Sequence, residues 1–239
     1  CLSGMMSALF VGIFPISNTR TINMKQILSD VDRTLLDKHI SETEKQTGAQ
    51  IVLASVMRSD SYVEIPWKAF AFGASIASLL TIFMDLFVLG WLTETLILFS
   101  VLVILASGLI FVLLSVLFPG FARLFLSSHR KEVETMQYAE SLFLSHELFS
   151  TEERRGILLL VSQFERQVHI LPDKGVRDLL SDEVLKDVIS KMTLHLRRNE
   201  LRQAMETGLD GINAALGSPV SAWSGKNELA DEIIEEEGI

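Results

Sequence analysis

The chain has 239 residues, a net charge of −9, 49% hydrophobic residues and 21% charged residues. The acid surplus argues against a nucleic-acid binder, which needs Lys and Arg to displace counterions from phosphates, and a single cysteine, Cys1, excludes an intrachain disulfide framework or a cysteine-built zinc site. The mean hydropathy of +0.35 is high for a chain living in water and points to lipid contact, while 14 Gly and 5 Pro beside so much apolar sequence exclude collagen-like and disordered classes.

Residues 1–23 hold a short apolar run, Ala8 to Ile16, with no basic stretch before it and no small-residue cleavage site after it. They read as a leader or upstream extension ahead of Met24; a signal peptide and a lipid-modified Cys1 are the alternatives. From Met24 to Ile65 the pattern becomes that of a folded domain. Ser29 is placed to cap a helix, with Asp32 completing a weakened capping box. Val31, Leu35, Leu36, His39 and Ile40 then recur at helical spacing, and Gly48 is placed to end the helix. Ala49 to Val56 is a short, β-branched apolar run, which predicts a buried strand.

The apolar surplus is concentrated between Pro66 and Phe118, where the only charges are Lys68, Asp85 and Glu94. Two spans fit there, 69–91 and 96–118. Each is about 23 residues long, where roughly 20 suffice to cross the hydrocarbon. The link Leu92-Thr93-Glu94-Thr95 forces the helices antiparallel, so residues 66–120 predict a transmembrane hairpin, with Trp67 and Trp91 as interfacial anchors. Arg58, Lys68, Arg123, Arg130 and Lys131 flank the block and the link carries no base. The positive-inside rule then puts both flanks in the cytoplasm of an inner or plasma membrane protein. Gly73, Ala74, Ala77 and Ser78 on the first span, and Ser107-Gly108 on the second, predict close helix packing. Asp85 is an intramembrane acid: it reads as a proton or cation site, or as an acid hydrated near the interface or paired across a homo-oligomer.

After the hairpin, residues 121–216 predict one helix from Phe121 to Phe149, strands at Gly156–Ser162 and Arg166–Leu171, a turn at Pro172 to Gly175, and helices near Ser181–Met192 and Asn199–Leu216. Residues 217–239 read as an acidic, solvated tail, or a short docking motif. With the hairpin set aside, the order is an α/β sandwich, three-layer-like. Its parallel strand pair has a right-handed crossover, joined by one antiparallel strand. Residues 24–65 hold a lone strand that cannot bury its own faces, so 24–65 and 121–216 are expected to be two parts of one domain split by the hairpin.

The stretch Glu42-Thr43-Glu44-Lys45-Gln46-Thr47-Gly48-Ala49-Gln50-Ile51-Val52 resembles the opening helix and strand of the TPM domain. The second part resembles it too, through Ala139, Phe143, Thr151 to Leu158, Glu165-Arg166, Ile170 and Asp173-Lys174-Gly175-Val176, with Gly208–Ile212 and Asn227-Glu228-Leu229 fitting bacterial members. The family includes thylakoid lumen phosphatase-like proteins, a photosystem II repair protein and an acetylcholine-receptor modulator. The resemblance implies a binding or assembly and repair module for membrane proteins, or a divalent-metal-assisted acid phosphatase. Most members carry a signal peptide and a C-terminal span, whereas here the hairpin interrupts the domain.

The residues themselves complete no catalytic constellation. No phosphate loop, HExxH, GxSxG or EF-hand loop occurs, and no two of His39, His129, His146, His169 and His195 stand four apart. His169 in a strand and His146 at a helix end read as ordinary structural histidines. The acids are stronger candidates. Asp60, Tyr62 and Glu165 fall at the carboxyl edge of the parallel pair, where ligands of open α/β sheets bind. Asp173 falls at the opposite edge near Arg154 and Arg155. Carboxylate oxygens there suit Ca²⁺ or Mg²⁺, and an ion pair fixing the turn is the plainer alternative. A small oligomeric transporter or channel is a third reading, poorly served by two spans with one charge.

Overall fold

The computed structural model describes residues 28–89, 94–151, 153–217 and 233–238. The expected leader, the Trp91 anchor, the centre of the hairpin link, Glu152, Trp223 and the Asn227-Glu228-Leu229 motif lie outside them.

Helix α1 runs Asp30–Thr47. Ser29 accepts from the Asp32 N–H at its start, and Gly48 ends it in the left-handed region at φ 72°. Strand β1, Gln50–Arg58, follows at once and is buried along nearly its whole length. Buried Glu44 accepts from the Ile51 N–H at 2.8 Å, so the helix end holds the strand start.

The chain then enters helix α2, Glu64–Met84, continued by a π-helical turn at Asp85–Leu89, and returns through helix α3, Glu94–Leu117. As expected, the small residues meet. Gly73 and Ala77 are buried, and Ser107 Oγ donates to the Gly73 carbonyl at 3.0 Å. A Cβ on Gly73 would fall 2.7 Å from the Phe111 ring, and one on Gly108 would fall 2.6 Å from the Phe70 ring. Stretches Glu64–Phe87 and Ile97–Leu117 have mean hydropathy 1.8 and 3.0 and are long and apolar enough to cross a membrane. They are not core helices: only 11% and 6% of their most apolar windows is buried.

The single long helix expected over 121–149 is instead broken. Short helix α4, Pro119–Ala122, passes into a 3₁₀ turn at Arg123–Phe125, and helix α5 begins afresh at Ser128–Ser145. The cause is local: Phe118 is extended before Pro119, and Ser127 caps a new helix by accepting from the Arg130 N–H. Strands β2, Gly156–Ser162, and β3, Gln167–Pro172, follow. Then come a short helix α6, Lys174–Arg177, and helices α7, Asp182–Arg197, and α8, Leu201–Leu216. A fourth strand, β4, Ile234–Gly238, lies in the segment read as a solvated tail.

The sheet order is β3-β2-β1-β4. β1 pairs in parallel with β2, from Gln50 against Gly156 to Val56 against Ser162, and β3 pairs antiparallel with β2. The alternating faces of a strand separate two cores. Ile51, Leu53, Ile157, Leu159 and Val161 pack under α1, α7 and α8, while Val52, Ala54, Val56, Leu158 and Leu160 pack under α5. The result is the expected three-layer α/β arrangement, with β1 before the hairpin and β2 after it.

Candidate functional site at the foot of the hairpin

The carboxyl ends of β1 and β2 meet the first turn of α2. Tyr62 stands between them with φ 45° and no exposed surface. That backbone region is strained for a bulky residue and survives only where the surroundings fix it. The fixing group is Glu165, buried in the β2–β3 turn. Its Oε1 accepts from the Ser59 N–H at 3.0 Å and from Ser59 Oγ at 2.7 Å, and its Oε2 accepts from Ser162 Oγ. Ser59 Oγ also lies 3.3 Å from the Tyr62 hydroxyl. Burial, reinforced by the nearby Glu165 charge, raises the proton affinity of the Tyr62 phenol well above the ordinary tyrosine range.

Cations stack on this knot. The Arg58 guanidinium lies 5.2 Å from the Tyr62 ring centroid and 4.8 Å from that of Phe164. Arg123 approaches the Phe164 ring at 5.6 Å and donates from Nε to the Phe164 carbonyl at 2.7 Å. Burial, then the like charge of Arg166, lowers the Arg123 proton affinity. Arg130 joins Asp60 at 3.0 Å, and Glu64 and Glu134 at 3.3 Å each. Tyr62, Ile65, Ala122 and Leu126 form a separate small core between hairpin and sheet. Beside it opens a groove of about 750 Å³ lined by Met57, Arg58, Trp67, Pro119, Phe164 and Glu237, among others.

Of the residues singled out from sequence, Tyr62 and Glu165 thus meet, and Asp60 lies next to them on Arg130. Asp173 stands at the other end of the sheet, about 20 Å away along the seven residues of β2. It caps α6 through the Lys174 N–H at 2.8 Å and takes Arg154 in two contacts, 2.8 and 3.0 Å. Arg155 pairs with Glu153 and is not part of that bridge. A cleft of about 530 Å³ lies beside Asp173, lined also by Phe143, Lys174 and Arg177. Asp85 lines a different cleft of about 460 Å³ between the hairpin helices, with Thr81, Ser100 and Ser107. Among the described residues, no three His, Cys, Asp or Glu side chains gather closely enough to hold a metal ion.

Sequence reasoning did not foresee Arg58, Ser59, Arg123, Ser162 or Phe164. They come from three separate stretches of chain and share no motif.

The sequence model of the TPM domain matches residues 124–215. Over those residues the chain is similar to the TPM domain. The match begins at the foot of the hairpin and takes in α5, β2, β3, α7 and nearly all of α8. A solved structure, the NMR structure of BA42 protein from the psychrophilic bacterium Bizionia argentinensis, superposes with a TM-score of 0.53 and 14% identity. The superposition covers 89% of this chain and 97% of that one. At that identity the likeness shows the fold alone. No curated protein matches the sequence. Within the matched region the conspicuous Asp173-Lys174-Gly175 segment is a capped turn. Gly175 is required there because a Cβ would fall 2.2 Å from the Glu153 carbonyl oxygen.

Proposed function

We propose that this chain is a membrane-anchored TPM protein that binds other membrane proteins, as an assembly or repair module, at the surface of the bilayer. The observation that carries the reading is the exposed apolar surface of α2 and α3. Leu79, Ile82, Phe83, Leu98, Leu102 and Leu109 are among its exposed side chains. An unpartnered surface of that extent needs a cover, and two antiparallel helices of spanning length are covered by lipid. Both ends of the hairpin return to one sheet, so both flanks lie on one face of the bilayer, and the basic flanks make that face cytoplasmic. The Glu165–Tyr62–Arg123 knot ties the domain to the anchor without a loose linker. The groove beside it is thereby held at a set height above the bilayer.

The alternative, a metal-assisted phosphatase, rests on the family resemblance. Asp60, Glu165 and Asp173 each already hold a partner from the chain itself, which favours the binding module.

Two experiments test the reading. In a Cys1→Ser background, cysteines at exposed Lys38 and Lys186 should resist an impermeant thiol reagent in intact cells, while one at Glu94 should react. Extraction of the protein from membranes by alkaline carbonate sinks the anchor, and labelling at Lys38 and Lys186 but not Glu94 reverses the orientation. A photo-crosslinking residue at Met57 in the groove should give a discrete adduct with a membrane protein, and one at Lys186 should not. No adduct from Met57, together with Mg²⁺- or Ca²⁺-dependent hydrolysis of a generic phosphomonoester, makes the enzyme the better account.

A further inference from the structure

The groove at the foot of the hairpin has two walls of different chemistry. One is the sheet edge, where the Arg58 guanidinium stacks on Tyr62 and Phe164. The Nε of Arg58 is buried and has no hydrogen-bond partner. The acids near it are engaged elsewhere: Asp60 and Glu64 by Arg130, and Glu165 by Ser59 and Ser162. Glu237 also lines the groove, but it is exposed. Arg166 repeats the pattern, with a buried Nε that lacks a partner. Among the described residues no acid forms an ion pair with Arg58 or Arg166. Arg123 spends its donors on the Phe164 and Gln163 carbonyls, and the like charge of Arg166 acts on it. Three guanidiniums thus face one buried carboxylate, Glu165, and the exposed Glu237. The other wall is apolar. Val63 and Trp67 at the start of α2 and Val116 near the end of α3 line it with their side chains exposed, and it continues into the two stretches of spanning length.

A buried guanidinium donor without an acceptor is costly. The planar fork of arginine matches phosphate oxygens, and stacking on two rings holds Arg58 in place before any ligand arrives. A free phosphate satisfies the arginine and leaves the apolar wall bare. A plain hydrocarbon chain covers the wall and leaves the arginine unpaired. A molecule that does both has an anionic head and an apolar tail. We propose that the groove holds an anionic glycerophospholipid of the surrounding bilayer, its phosphate on Arg58 and an acyl chain along Trp67 and Val116. The inference rests on the membrane anchoring proposed above and adds a lipid to the groove assigned there to protein partners. Trp67 marks the interfacial level at which headgroups lie. The surplus of positive charge around Phe164 favours a lipid with net negative charge over a zwitterion.

Lipid titration of the full chain in detergent, read by native mass spectrometry, tests this. Phosphatidylglycerol should bind at least ten-fold more tightly than phosphatidylcholine. Arg58→Gln should abolish that preference, while Lys186→Gln, which removes one positive charge from exposed α7, should keep it. Inorganic phosphate in large excess should displace the lipid no better than chloride at equal ionic strength. Should Arg58→Gln fail to fold, Trp67 gives a second reading with Arg58 intact. In a Trp91→Phe, Trp223→Phe chain held in phosphatidylcholine nanodiscs, a small fraction of phosphatidylglycerol with brominated chains should quench Trp67 at least three-fold more than the same fraction of brominated phosphatidylcholine. Equal binding or equal quenching by the two lipids, or an unchanged preference in folded Arg58→Gln, overturns the site. Displacement by phosphate makes it a site for a free anion and overturns the lipid. Loss of the Met57 protein adduct in Arg58→Gln, with no lipid preference in the parent chain, gives the arginine to a protein anion instead. A chain extracted by alkaline carbonate fails the anchoring itself; one that resists extraction and shows no preference fails the lipid site alone.

Discussion

Replacing Glu165 by Ala measures how firmly the helical hairpin is tied to the sheet. Three donors converge on the carboxylate: the Ser59 N–H, the Ser59 hydroxyl and the Ser162 hydroxyl. The Ser59 hydroxyl can turn to Tyr62, 3.3 Å away, but the Ser59 N–H cannot turn, and Ser59 is buried. An orphaned buried donor costs about 1–3 kcal/mol, and each lost bond to a charged group about 1.5–3 kcal/mol. Relief of the buried charge opposes these losses, so a net destabilisation of about 3 kcal/mol is expected. For a chain of this size that lowers Tm by roughly 6–12 °C. Glu165→Gln keeps an acceptor for Ser59 and fills the space, and should cost about 1 kcal/mol. Thermal unfolding of the purified protein in detergent, followed by circular dichroism, reads both. A Glu165→Ala protein within 2 °C of wild type, or a Gln variant as unstable as the Ala variant, refutes the view that this carboxylate organises the foot of the hairpin.

Gly156→Ala should lower stability by about 3 kcal/mol, because a Cβ would fall 2.2 Å from the Leu148 carbonyl oxygen, a backbone atom that cannot swing aside; denaturant melts check it. Gly73→Ala pushes the Phe111 ring off α2 and weakens the Ser107 bond, and a loss of about 1–3 kcal/mol should appear as a lower Tm in detergent. His169 is held below its ordinary pKa, chiefly by burial, against a smaller opposing pull from Glu132. The unfolded chain therefore takes up this proton first as pH falls below about 6.5, so its share of stability is complete above that pH and declines below it. His169→Gln should flatten the fall of Tm between pH 7 and pH 5; an unchanged slope removes His169 from the account.

The sheet was legible where residues alternate without interruption. The run Gln50-Ile51-Val52-Leu53-Ala54 has no polar face, and neither has Gly156 to Val161, so both read as strands buried on both sides, as they are. The hairpin was legible because apolar length is a one-dimensional signal. The break at Phe118 to Ser127 was not, because its apolar residues keep helical spacing while Ser127 silently opens a new cap. β4 was missed for a different reason: Ile234-Glu235-Glu236-Glu237 has the composition of a solvated segment, and what makes it a strand is Arg33 and Tyr138, far away in sequence. The same holds at the foot of the hairpin. Glu165 was marked by its place at a sheet edge, but its partners Ser59 and Ser162 carry no local sign, and Arg58 and Arg123 find each other only through Phe164.

Ser59 and Glu165 are 106 residues apart in the chain, and the whole hairpin lies between them. During synthesis, the first strand must wait on the order of ten seconds for its neighbour to emerge. Through that interval β1 is an exposed apolar strand with two open edges. On the membrane anchoring proposed above, the sheet can close only if both halves of the domain end on the same side of the bilayer, so closure would serve as a proofreading step for insertion. A copy in which one helix fails to insert keeps β1 open and presents quality-control proteases with an unfinished sheet.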